Sequence, residues 1–269
     1  MLKHIALTIL LCALPAAAAE DYATQMTQAT VKIFNRSSTA AGFFVRPSGC
    51  DQCSDKPLLL VTAGHVFEKM TGEQATIVFR KLQPDGTFVR QDHPVKIRDG
   101  TKPLWTQHSK YDIAVLAMEI PPGMSLTPIE LDSLADETAL KESGMHIGSD
   151  LLILGYPFRI EANGAGFPIA RHGSIAGYPL WPVQTNVYLM VDFTTFAGDS
   201  GGPVFIADPR QKEKGEHARP LVLGIVIAQI REDEKINSIY EEETVHHPIN
   251  VSKVIQAAFV RETIELVRH

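Results

Sequence analysis

Short apolar runs separated by clusters of Gly, Pro, Asn, Asp and Ser are the feature that most constrains the fold of this chain. Runs of this length, bounded by turn-forming residues, are typical of strands in all-β barrels and sandwiches. The first half contains six candidate strands: Ala29–Phe34, Ala41–Val45, Leu58–Thr62, Ala75–Phe79, Val95–Arg98 and Ile113–Glu119. The second half contains six more: Leu151–Gly155, Pro168–Ser174, Val187–Phe193, Pro203–Ile206, Leu221–Gln229 and His247–Asn250. The pattern therefore predicts an all-β fold.

The region between these two groups of strands, Pro121–Gly144, is rich in Pro, Asp, Ser and Glu and carries no strand pattern. We interpret it as the crossing between two halves of the fold. Six strands, a linker and six further strands predict two six-stranded antiparallel β-barrels with a seam between them. We place the N-terminal barrel at residues 20–125, the linker at 126–146, and the C-terminal barrel with a terminal helix at 147–269.

Two further features of the second half follow from local patterns. The final stretch, Val251–Val267, has apolar residues at helical spacing and predicts a C-terminal α-helix, with Asn250 or Ser252 as its N-cap. The charged segments Asp208–Ala218 and Arg231–Glu243 lack a regular apolar alternation. We expect both of these segments to be surface loops.

The N-terminus has the order of features that marks a secretory signal peptide. Lys3 supplies a positive charge, Ile5–Leu14 is an apolar run too short to cross a bilayer as a helix, and Ala17-Ala18-Ala19 provides small residues for signal peptidase. We therefore predict that residues 1–19 are a signal peptide and that the protein is exported, to a periplasm or out of the cell. A lipoprotein signal at Cys12 is the alternative, although the residue before it is bulkier than that processing normally accepts.

Composition limits the classes of partner. The chain has 25 basic and 31 acidic residues, a formal net charge of −6, and no conspicuous basic patch. We therefore expect no nucleic-acid partner. No second long apolar segment follows the N-terminal run, so we expect no membrane association after signal cleavage. The sequence leaves the oligomeric state open.

Cysteine use is informative because export implies an oxidising compartment. Two cysteines, Cys50 and Cys53, follow the predicted signal peptide and lie before the Leu58–Thr62 strand. We expect them to form a small disulfide. A redox-active C-x-x-C is an alternative that lacks its usual βαβ context, and a zinc site lacks a second ligand pair at suitable spacing. His246-His247 is expected to be a strand end, so we expect no metal and no cofactor.

Three short motifs carry the chemistry, in the order histidine, aspartate, serine. They are Thr62-Ala63-Gly64-His65 at the end of a strand, Asp112-Ile113-Ala114-Val115-Leu116 at the start of another, and the glycine-rich run Gly198-Asp199-Ser200-Gly201-Gly202-Pro203. A serine hydroxyl becomes a nucleophile when a neighbouring imidazole takes its proton. A carboxylate behind the imidazole fixes its tautomer and stabilises the imidazolium. The motifs therefore predict a catalytic triad of His65, Asp112 and Ser200.

The glycines around the serine meet a separate need. The tetrahedral intermediate of acyl transfer carries an oxyanion, which preorganised backbone N–H groups stabilise. We predict that the N–H groups of Gly198 and Ser200 form this oxyanion hole, because Gly198 has no Cβ to prevent a tight turn. Each motif alone also has a structural explanation, such as a hairpin turn for the glycine-rich run. The three motifs in this order favour catalysis.

The motifs resemble the signature segments of the chymotrypsin/trypsin-like serine peptidases, in the style of bacterial members such as the HtrA/DegP protease domain. Further similar segments extend the resemblance from about Ala29 onward: Leu152–Phe158, Arg171–Tyr178 and Pro248–Val251. The resemblance implies two barrels with the triad in the cleft between them, with His65 and Asp112 from the first barrel and Ser200 from the second. It also implies an endopeptidase that binds a protein or peptide in extended conformation and cleaves it through an acyl-enzyme.

The sequence departs from the family pattern at its expected start. Members activated by cleavage begin with an Ile-Val-Gly-Gly-type sequence, whose new N-terminus pairs with the acid before the serine. Here that acid is Asp199, but the expected start is Glu20-Asp21. Either another cation pairs with Asp199 or the turn is held in another way.

The resemblance also assigns specificity residues. Thr194, six residues before the serine, would lie at the base of the pocket for the residue before the cleaved bond. Gly224, Ile225 and Val226 would form the strand that pairs with an extended peptide. The uncharged threonine and the bulky apolar residues predict a preference for small or medium uncharged side chains. The alternative is that Asp192 and the acidic stretch Glu232–Glu243 favour basic peptides.

Two other functions are compatible with the same fold. A binding or chaperone-like module that has lost turnover usually shows a replaced triad residue, whereas His65, Asp112 and Ser200 are all present. Ester hydrolysis or another acyl transfer uses the same triad. The glycine-rich run followed by a strand differs, however, from the strand–turn–helix of α/β-hydrolases. Peptide-bond hydrolysis is the leading hypothesis.

Overall fold

The computed structural model of the protein describes residues 21–47, 57–210, 215, 218–237 and 242–267. The predicted signal peptide and both Cys50 and Cys53 lie outside the described residues. The described chain is mostly β-structure, as predicted, with four short α-helices: α1 (Tyr22–Ala29), α2 (Gly64–Lys69), α3 (Glu137–Glu142) and α4 (Ala257–Glu265). In the described part of the chain, no helix has the length and apolar character needed to cross a membrane.

The first half of the described chain is built on one large sheet. Its strands are β1 (Thr30–Phe34), β2 (Thr39–Arg46), β3 (Leu58–Thr62), β4 (Gln74–Leu82), β5 (Phe88–Lys96), β6 (Arg98–Asp99), β7 (Lys102–Pro103), β8 (Thr106–Gln107), β9 (Ala114–Met118) and β10 (Ile129–Glu130). Eight of them form a sheet in the order β5-β4-β1-β2-β3-β9-β8, in which β10 adds to β2, and β6 pairs with β7 separately.

The sheet of the first half does not close into the predicted six-stranded barrel among the residues that the structure describes. The edge strand β8 contributes only two residues, so it offers few backbone groups to a further strand. The other edge strand, β5, is exposed along much of its length. We predicted a closed six-stranded barrel, whereas the described residues of the first half form an open sheet of eight strands.

The second half forms a closed six-stranded antiparallel barrel, as predicted. Its strands are β11 (Asp150–Gly155), β12 (Ile169–Ile175), β13 (Tyr188–Asp192), β14 (Pro203–Ala207), β15 (Pro220–Asn237) and β16 (Glu242–Gln256). They close in the order β11-β12-β13-β16-β15-β14. The inward-facing residues of these strands pack into a core, to which Ile153, Val204 and Ile255 contribute fully buried side chains. Each such side chain contributes about 1.5–3 kcal/mol to folding.

Helix α1 attaches the start of the described chain to both halves. Asp21 caps the helix, because its Oδ1 accepts hydrogen bonds from the backbone N–H groups of Ala23 and Thr24, both at 2.9 Å. The Tyr22 ring packs edge-on against Phe205 of β14, with ring centroids 6.1 Å apart. The chain then runs directly from the helix into β1, so the two halves share this element.

The segment Arg231–Glu243 is not the predicted loop. Its described residues belong to the long paired strands β15 and β16, with pairing as far as Asn237 and Glu242. Residues 231–235 are exposed and residues 244–250 are exposed or partly exposed, so these strand ends bury no apolar face and the sequence shows no apolar alternation there. His246 and His247 lie within β16, where their rings contact Asp233 at 2.6 Å and Glu234 at 2.9 Å.

The terminal helix begins later than predicted. Helix α4 spans Ala257–Glu265, while Val251–Gln256 belongs to β16 and pairs with both β13 and β15. The Ser252 hydroxyl donates to the Phe193 carbonyl at 2.5 Å and does not cap a helix. The three β-branched residues of this stretch and its pairing with strands on both sides outweigh the helical spacing of the apolar residues.

Candidate active site

The turn that carries Ser200 is fixed to both halves of the molecule. The Ser200 carbonyl accepts a hydrogen bond from the N–H of Ala41 in β2 at 2.9 Å. On the other side, the Gly201 N–H donates to the Val226 carbonyl in β15 at 2.8 Å. The serine therefore lies at the seam between the first-half sheet and the second-half barrel.

The structure brings the three predicted catalytic side chains together. His65 Nε2 lies 3.0 Å from Ser200 Oγ, and His65 Nδ1 lies 2.6 Å from Asp112 Oδ2. His65 lies in the first turn of α2, directly after β3, while Asp112 precedes β9 on the neighbouring strand. A carboxylate can only accept, so Nδ1 carries the proton and Nε2 is the acceptor for the serine hydroxyl. This is the arrangement that general-base activation of a serine requires.

Asp112 is held in its charged form by hydrogen bonds. Burial works to raise the pKa of its carboxyl, but hydrogen bonds from the ring and the backbone N–H of His65 outweigh burial and lower the pKa. The backbone N–H of His65 donates to Asp112 Oδ1 at 2.7 Å, in addition to the ring contact. Two donors from one residue therefore fix both the charge and the orientation of the carboxylate.

The backbone N–H groups of Gly198 and Ser200 are free to stabilise an oxyanion. Within the described residues, neither group donates to an acceptor. The Ala197 carbonyl accepts from the Phe158 N–H at 2.8 Å. In a trans peptide the carbonyl and the following N–H point in opposite directions, so the Gly198 N–H is directed away from Phe158. Gly198 has φ +107, and a Cβ there would lie 2.0 Å from the Tyr156 carbonyl oxygen, which explains the glycine.

The segment that orients this peptide is itself unusual and was not predicted. Phe158 and Arg159 have φ values of +50 and +70, a left-handed backbone conformation that residues other than glycine seldom adopt. Lys32 of β1 clamps the segment, because its Nζ donates to the Arg159 carbonyl at 2.8 Å and to Glu161 Oε1 at 2.6 Å. Arg90 of β5 pairs with the same carboxylate, with Nη1 and Oε2 2.5 Å apart. Two cations of the first half therefore hold a loop of the second half.

Asp199, the acid before the serine, has a cationic partner. Arg171 Nη2 of β12 lies 2.5 Å from Asp199 Oδ1, and the Asp199 side chain is fully buried. The other oxygen, Oδ2, accepts from the Phe196 N–H at 2.7 Å. Burial raises the pKa of the carboxyl, and Arg171 and the Phe196 N–H oppose that effect.

Thr194 is tied to its neighbours in the second half of the chain. Its hydroxyl donates to Asn250 Oδ1 at 3.0 Å, and its carbonyl accepts from Arg171 Nη1 at 3.2 Å. Asn250 has φ +60, which Asn tolerates better than most residues. The threonine hydroxyl is therefore engaged within the protein and presents no charge.

Gly224, Ile225 and Val226 are not placed to pair with a peptide, which contradicts the prediction. Ile225 and Val226 are fully buried, and the three residues lie between β14 and β16 inside the closed barrel. The Val226 N–H and carbonyl already bond to Gly202 and Gly201, at 2.9 Å and 2.8 Å. Pairing of β15 with β14 ends at Ile225, while pairing with β16 continues through Ala228 and Gln229. The accessible continuation of the strand edge is therefore 227–229, on the side away from β16.

Sequence reasoning missed Arg171, Lys32 and Glu161. Arg171 lies in a strand far from Asp199 in the chain, and the only signal was that Asp199 needed a cation. Lys32 and Glu161 had no local signal, because each acts across the seam. Among the described residues, no cluster of three or more His, Cys, Asp or Glu side chains is arranged to hold a metal ion.

Comparisons with known proteins give one family match and several solved structures of low sequence identity. The family model described as a trypsin-like peptidase domain matches residues 40–210, more than half of the chain. Among solved structures, an inactive-form serine-to-alanine mutant of Rv3671c from M. tuberculosis H37Rv has a TM-score of 0.49 at 18% identity, covering 94% of this chain and 93% of that one. An inactive form of the Rv3671c protease has a TM-score of 0.48 at 19% identity, with 95% and 96% covered. The comparison with curated proteins gives no match.

Proposed function

Because the chain belongs to the trypsin-like peptidase domain family, and is thus a serine-protease hydrolase by family, we propose that it is an exported serine endopeptidase that works through an acyl-enzyme on Ser200. The observation that carries the proposal is the continuous contact from Asp112 through His65 to Ser200, with distances of 2.6 Å and 3.0 Å. Proton transfer by a general base needs donor and acceptor at this separation.

In the acylation step, Ser200 Oγ attacks the carbonyl carbon of the peptide bond while its proton passes to His65 Nε2. The new C–O bond converts the carbonyl oxygen to an oxyanion, which accepts hydrogen bonds from the N–H groups of Gly198 and Ser200. Asp112 stays ionised and stabilises the imidazolium. His65 then returns the proton to the departing amine, and the C–N bond breaks.

In the deacylation step, a water molecule takes the place of the departed amine. His65 removes a proton from the water as it attacks the acyl carbon, and the same oxyanion hole holds the second tetrahedral intermediate. Ser200 leaves as the hydroxyl when His65 returns the proton. Each step uses the same three side chains in reverse roles, so the enzyme regains its starting state.

The turn that carries Ser200 is held by Arg171, and no newly released N-terminus is needed for this purpose. The support is the buried contact between Arg171 and Asp199, which gives the acid before the serine a cation within the described chain. Arg171 therefore takes the place of a terminal ammonium group as the cation that pairs with Asp199.

The peptide binds in extended form against the free edge at 227–229, with the residue before the cleaved bond next to Thr194. The support is that β15 leaves its pairing with β14 after Ile225 and that Val226 is the last residue bonded to the turn before β14, so later backbone groups on that side are open to a partner. The uncharged pocket base favours small or medium uncharged residues. A peptide library tests this preference, and selective cleavage after Arg or Lys would contradict it.

Export, removal of residues 1–19 and a Cys50–Cys53 disulfide complete the proposal, supported by the sequence features of the N-terminus and the C-x-x-C spacing. Edman sequencing of the exported protein checks export and the removal of residues 1–19, with Glu20 as the expected first residue. The mass change on reduction and alkylation checks the Cys50–Cys53 disulfide.

Hydrolysis of casein and of internally quenched peptides by the purified mature protein tests the function. Wild-type protein is expected to cleave both, and the Ser200→Ala variant neither. A folded wild-type protein without activity on any peptide would favour a binding module on the same fold.

A further inference from the structure

The cleft beside Ser200 has an uneven charge. A cavity of about 420 Å³ lies against Ser200 and His65, and its walls include Thr39, Lys69, Phe158 and Arg159. Two of the residues that line it are cations, and none is Asp or Glu. The chain as a whole carries a net charge of −6, so the positive charge of this wall is opposite in sign to the net charge of the protein.

In the described part of the chain, neither Lys69 nor Arg159 has a carboxylate within ion-pair distance. Lys69 is near enough to Asp112 to help lower the pKa of that carboxyl through the electrostatic attraction of its charge, but the two side chains form no direct ion pair. The acids next to them in sequence are engaged elsewhere. Glu68 accepts from the Gln107 amide at 2.6 Å, and Glu161 is held by two other cations of the first half. The positive charge at this wall is therefore available to a ligand.

The position of the cavity relative to Ser200 decides which part of a substrate enters it, and this step rests on the proposed function. The cavity includes His65, which gives its proton to the leaving amine, whereas Thr194 and the free edge at 227–229 lie outside it. The chain after the cleaved bond therefore follows the His65 side. An extended chain advances about 3.3 Å per residue, so the first two residues after the bond fall within a cavity of this size.

We propose that this cavity binds an acidic side chain of the substrate, from the first or second residue after the cleaved bond. The preferred substrates are then peptides with Glu or Asp at that position. Two further features of the wall suit such a side chain. Thr39 Oγ1 is buried without a hydrogen-bond partner in the described structure and is available as a donor. The exposed Phe158 ring, tilted against Phe196 with centroids 4.7 Å apart, offers apolar surface to the methylene groups of a glutamate.

A matched set of internally quenched peptides tests the proposal. The peptides share one sequence, and only the first or the second residue after the cleaved bond changes, between Glu, Gln and Lys. We expect kcat/KM to fall about fivefold from Glu to Gln at one of these positions, and further to Lys, as is ordinary for partly exposed charge pairs. The advantage of Glu over Gln should shrink in about 1 M salt, since the Debye length there is only about 3 Å.

Variants then assign the effect to the wall. Lys69→Gln, Arg159→Gln and the double variant are expected to reduce the Glu-to-Gln ratio of kcat/KM, the double variant to about one. Lys81→Gln removes an exposed cation of β4 outside the cavity, and its ratio should equal that of wild type. The ratio cancels any change in basal turnover, and labelling of Ser200 counts the active molecules in each sample.

The outcomes separate the two claims. Cleavage without a preference for Glu at either position, or a preference that survives the double variant, overturns the acidic site and leaves the peptidase intact. If wild-type protein cleaves no peptide and Ser200 is not labelled, the proposed function falls and the acidic site falls with it.

Discussion

Arg171 Nη2 and Asp199 Oδ1 lie 2.5 Å apart and form a buried ion pair directly behind Ser200. The pair joins β12 of the barrel to the turn that carries the serine. Asp199 has no other cation in the described part of the chain, so its charge depends on Arg171 and on the Phe196 N–H. This contact supplies the counter-ion of the buried carboxylate next to Ser200.

Removal of the arginine should therefore be costly. We expect Arg171→Met to lower the free energy of unfolding by about 3 kcal/mol, because it leaves a buried carboxylate without its counter-ion. Urea denaturation measures the change. Arg46→Met is the matched control, since Arg46 pairs with Glu130 at 3.1 Å in a half-exposed position, and its cost should stay below about 1 kcal/mol. Equal costs for the two variants would contradict the role of the buried pair.

The cost of Arg171→Met should depend on pH. Burial raises the pKa of Asp199 above its ordinary 3.8, so the folded state binds this proton more tightly than the unfolded chain does. Stability then falls as the pH rises from the ordinary value through the folded one. Arg171 opposes the effect of burial, so its loss raises the pKa of Asp199 in the folded state further. The pH range over which stability falls therefore extends to higher pH. The loss in free energy of unfolding of Arg171→Met relative to wild type should be full at neutral pH and should shrink in acid, where Asp199 is neutral. Urea denaturation at several pH values measures this loss. A loss that grows in acid would contradict the role of the Asp199 charge.

Asp112→Asn should separate the charge of the triad acid from its shape. When the single amide oxygen accepts from the backbone N–H of His65, the amide NH2 faces the ring as a donor. The ring must then accept at Nδ1, which places its proton on Nε2, the wrong tautomer for activating Ser200. We expect kcat to fall about 10⁴-fold with little change in KM. Steady-state peptide hydrolysis measures it, with Asp85→Asn at an exposed turn as the control. A loss of less than about tenfold would show that Asp112 does not orient His65.

Gly198→Ala should destroy the oxyanion turn. The added Cβ would lie 2.0 Å from the Tyr156 carbonyl oxygen at φ +107, so the peptide must move. We expect kcat/KM to fall by about 10²–10³ or more. Gly144→Ala provides the control, because Gly144 has φ +69 but no atom lies within 4 Å of the place that its methyl group would occupy. It should cost about 1 kcal/mol in stability and leave peptide hydrolysis unchanged.

Glu161→Gln should weaken catalysis from a distance. The variant loses the negative charge that pairs with Lys32 and Arg90. These pairs hold the left-handed segment at Phe158 and Arg159, and the Phe158 N–H in turn donates to the Ala197 carbonyl. We expect kcat to fall about tenfold while KM changes little, since Glu161 orients the oxyanion peptide and does not touch the substrate. Asp99→Asn, which breaks the exposed pair with Lys96 at 2.6 Å, is the control. A change in KM alone would contradict a positioning role.

The contact from Asp112 through His65 to Ser200 could be anticipated because each residue lies in a short motif whose chemistry is local. The closed second barrel was likewise visible in the spacing of its apolar runs. The same approach failed at the paired ends of β15 and β16, because strand ends that bury no apolar face show no apolar alternation. It also extended the terminal helix into Val251–Gln256, where tertiary pairing with β13 and β15 decides the outcome.

Residues that act across space left little signal in the sequence. The partner of Asp199 is on another strand, and the only hint of it was that this acid needs a cation. Lys32 and Glu161 join side chains of both halves and had no local signal. Gly224–Val226 was predicted to be an open strand edge, but its pairing inside the closed barrel depends on distant strands and not on the local sequence. The sequence therefore located the candidate reacting groups, and the structure was needed to find what positions them.

The most direct test of the account is covalent labelling with a fluorophosphonate, followed by intact mass measurement and peptide mapping. We predict one adduct per molecule, on Ser200, with none on Ser200→Ala and a labelling rate at least about 10³-fold lower for His65→Ala. A folded wild-type protein that stays unlabelled, or that reacts equally well after Ser200→Ala, would contradict the claim that His65 activates Ser200.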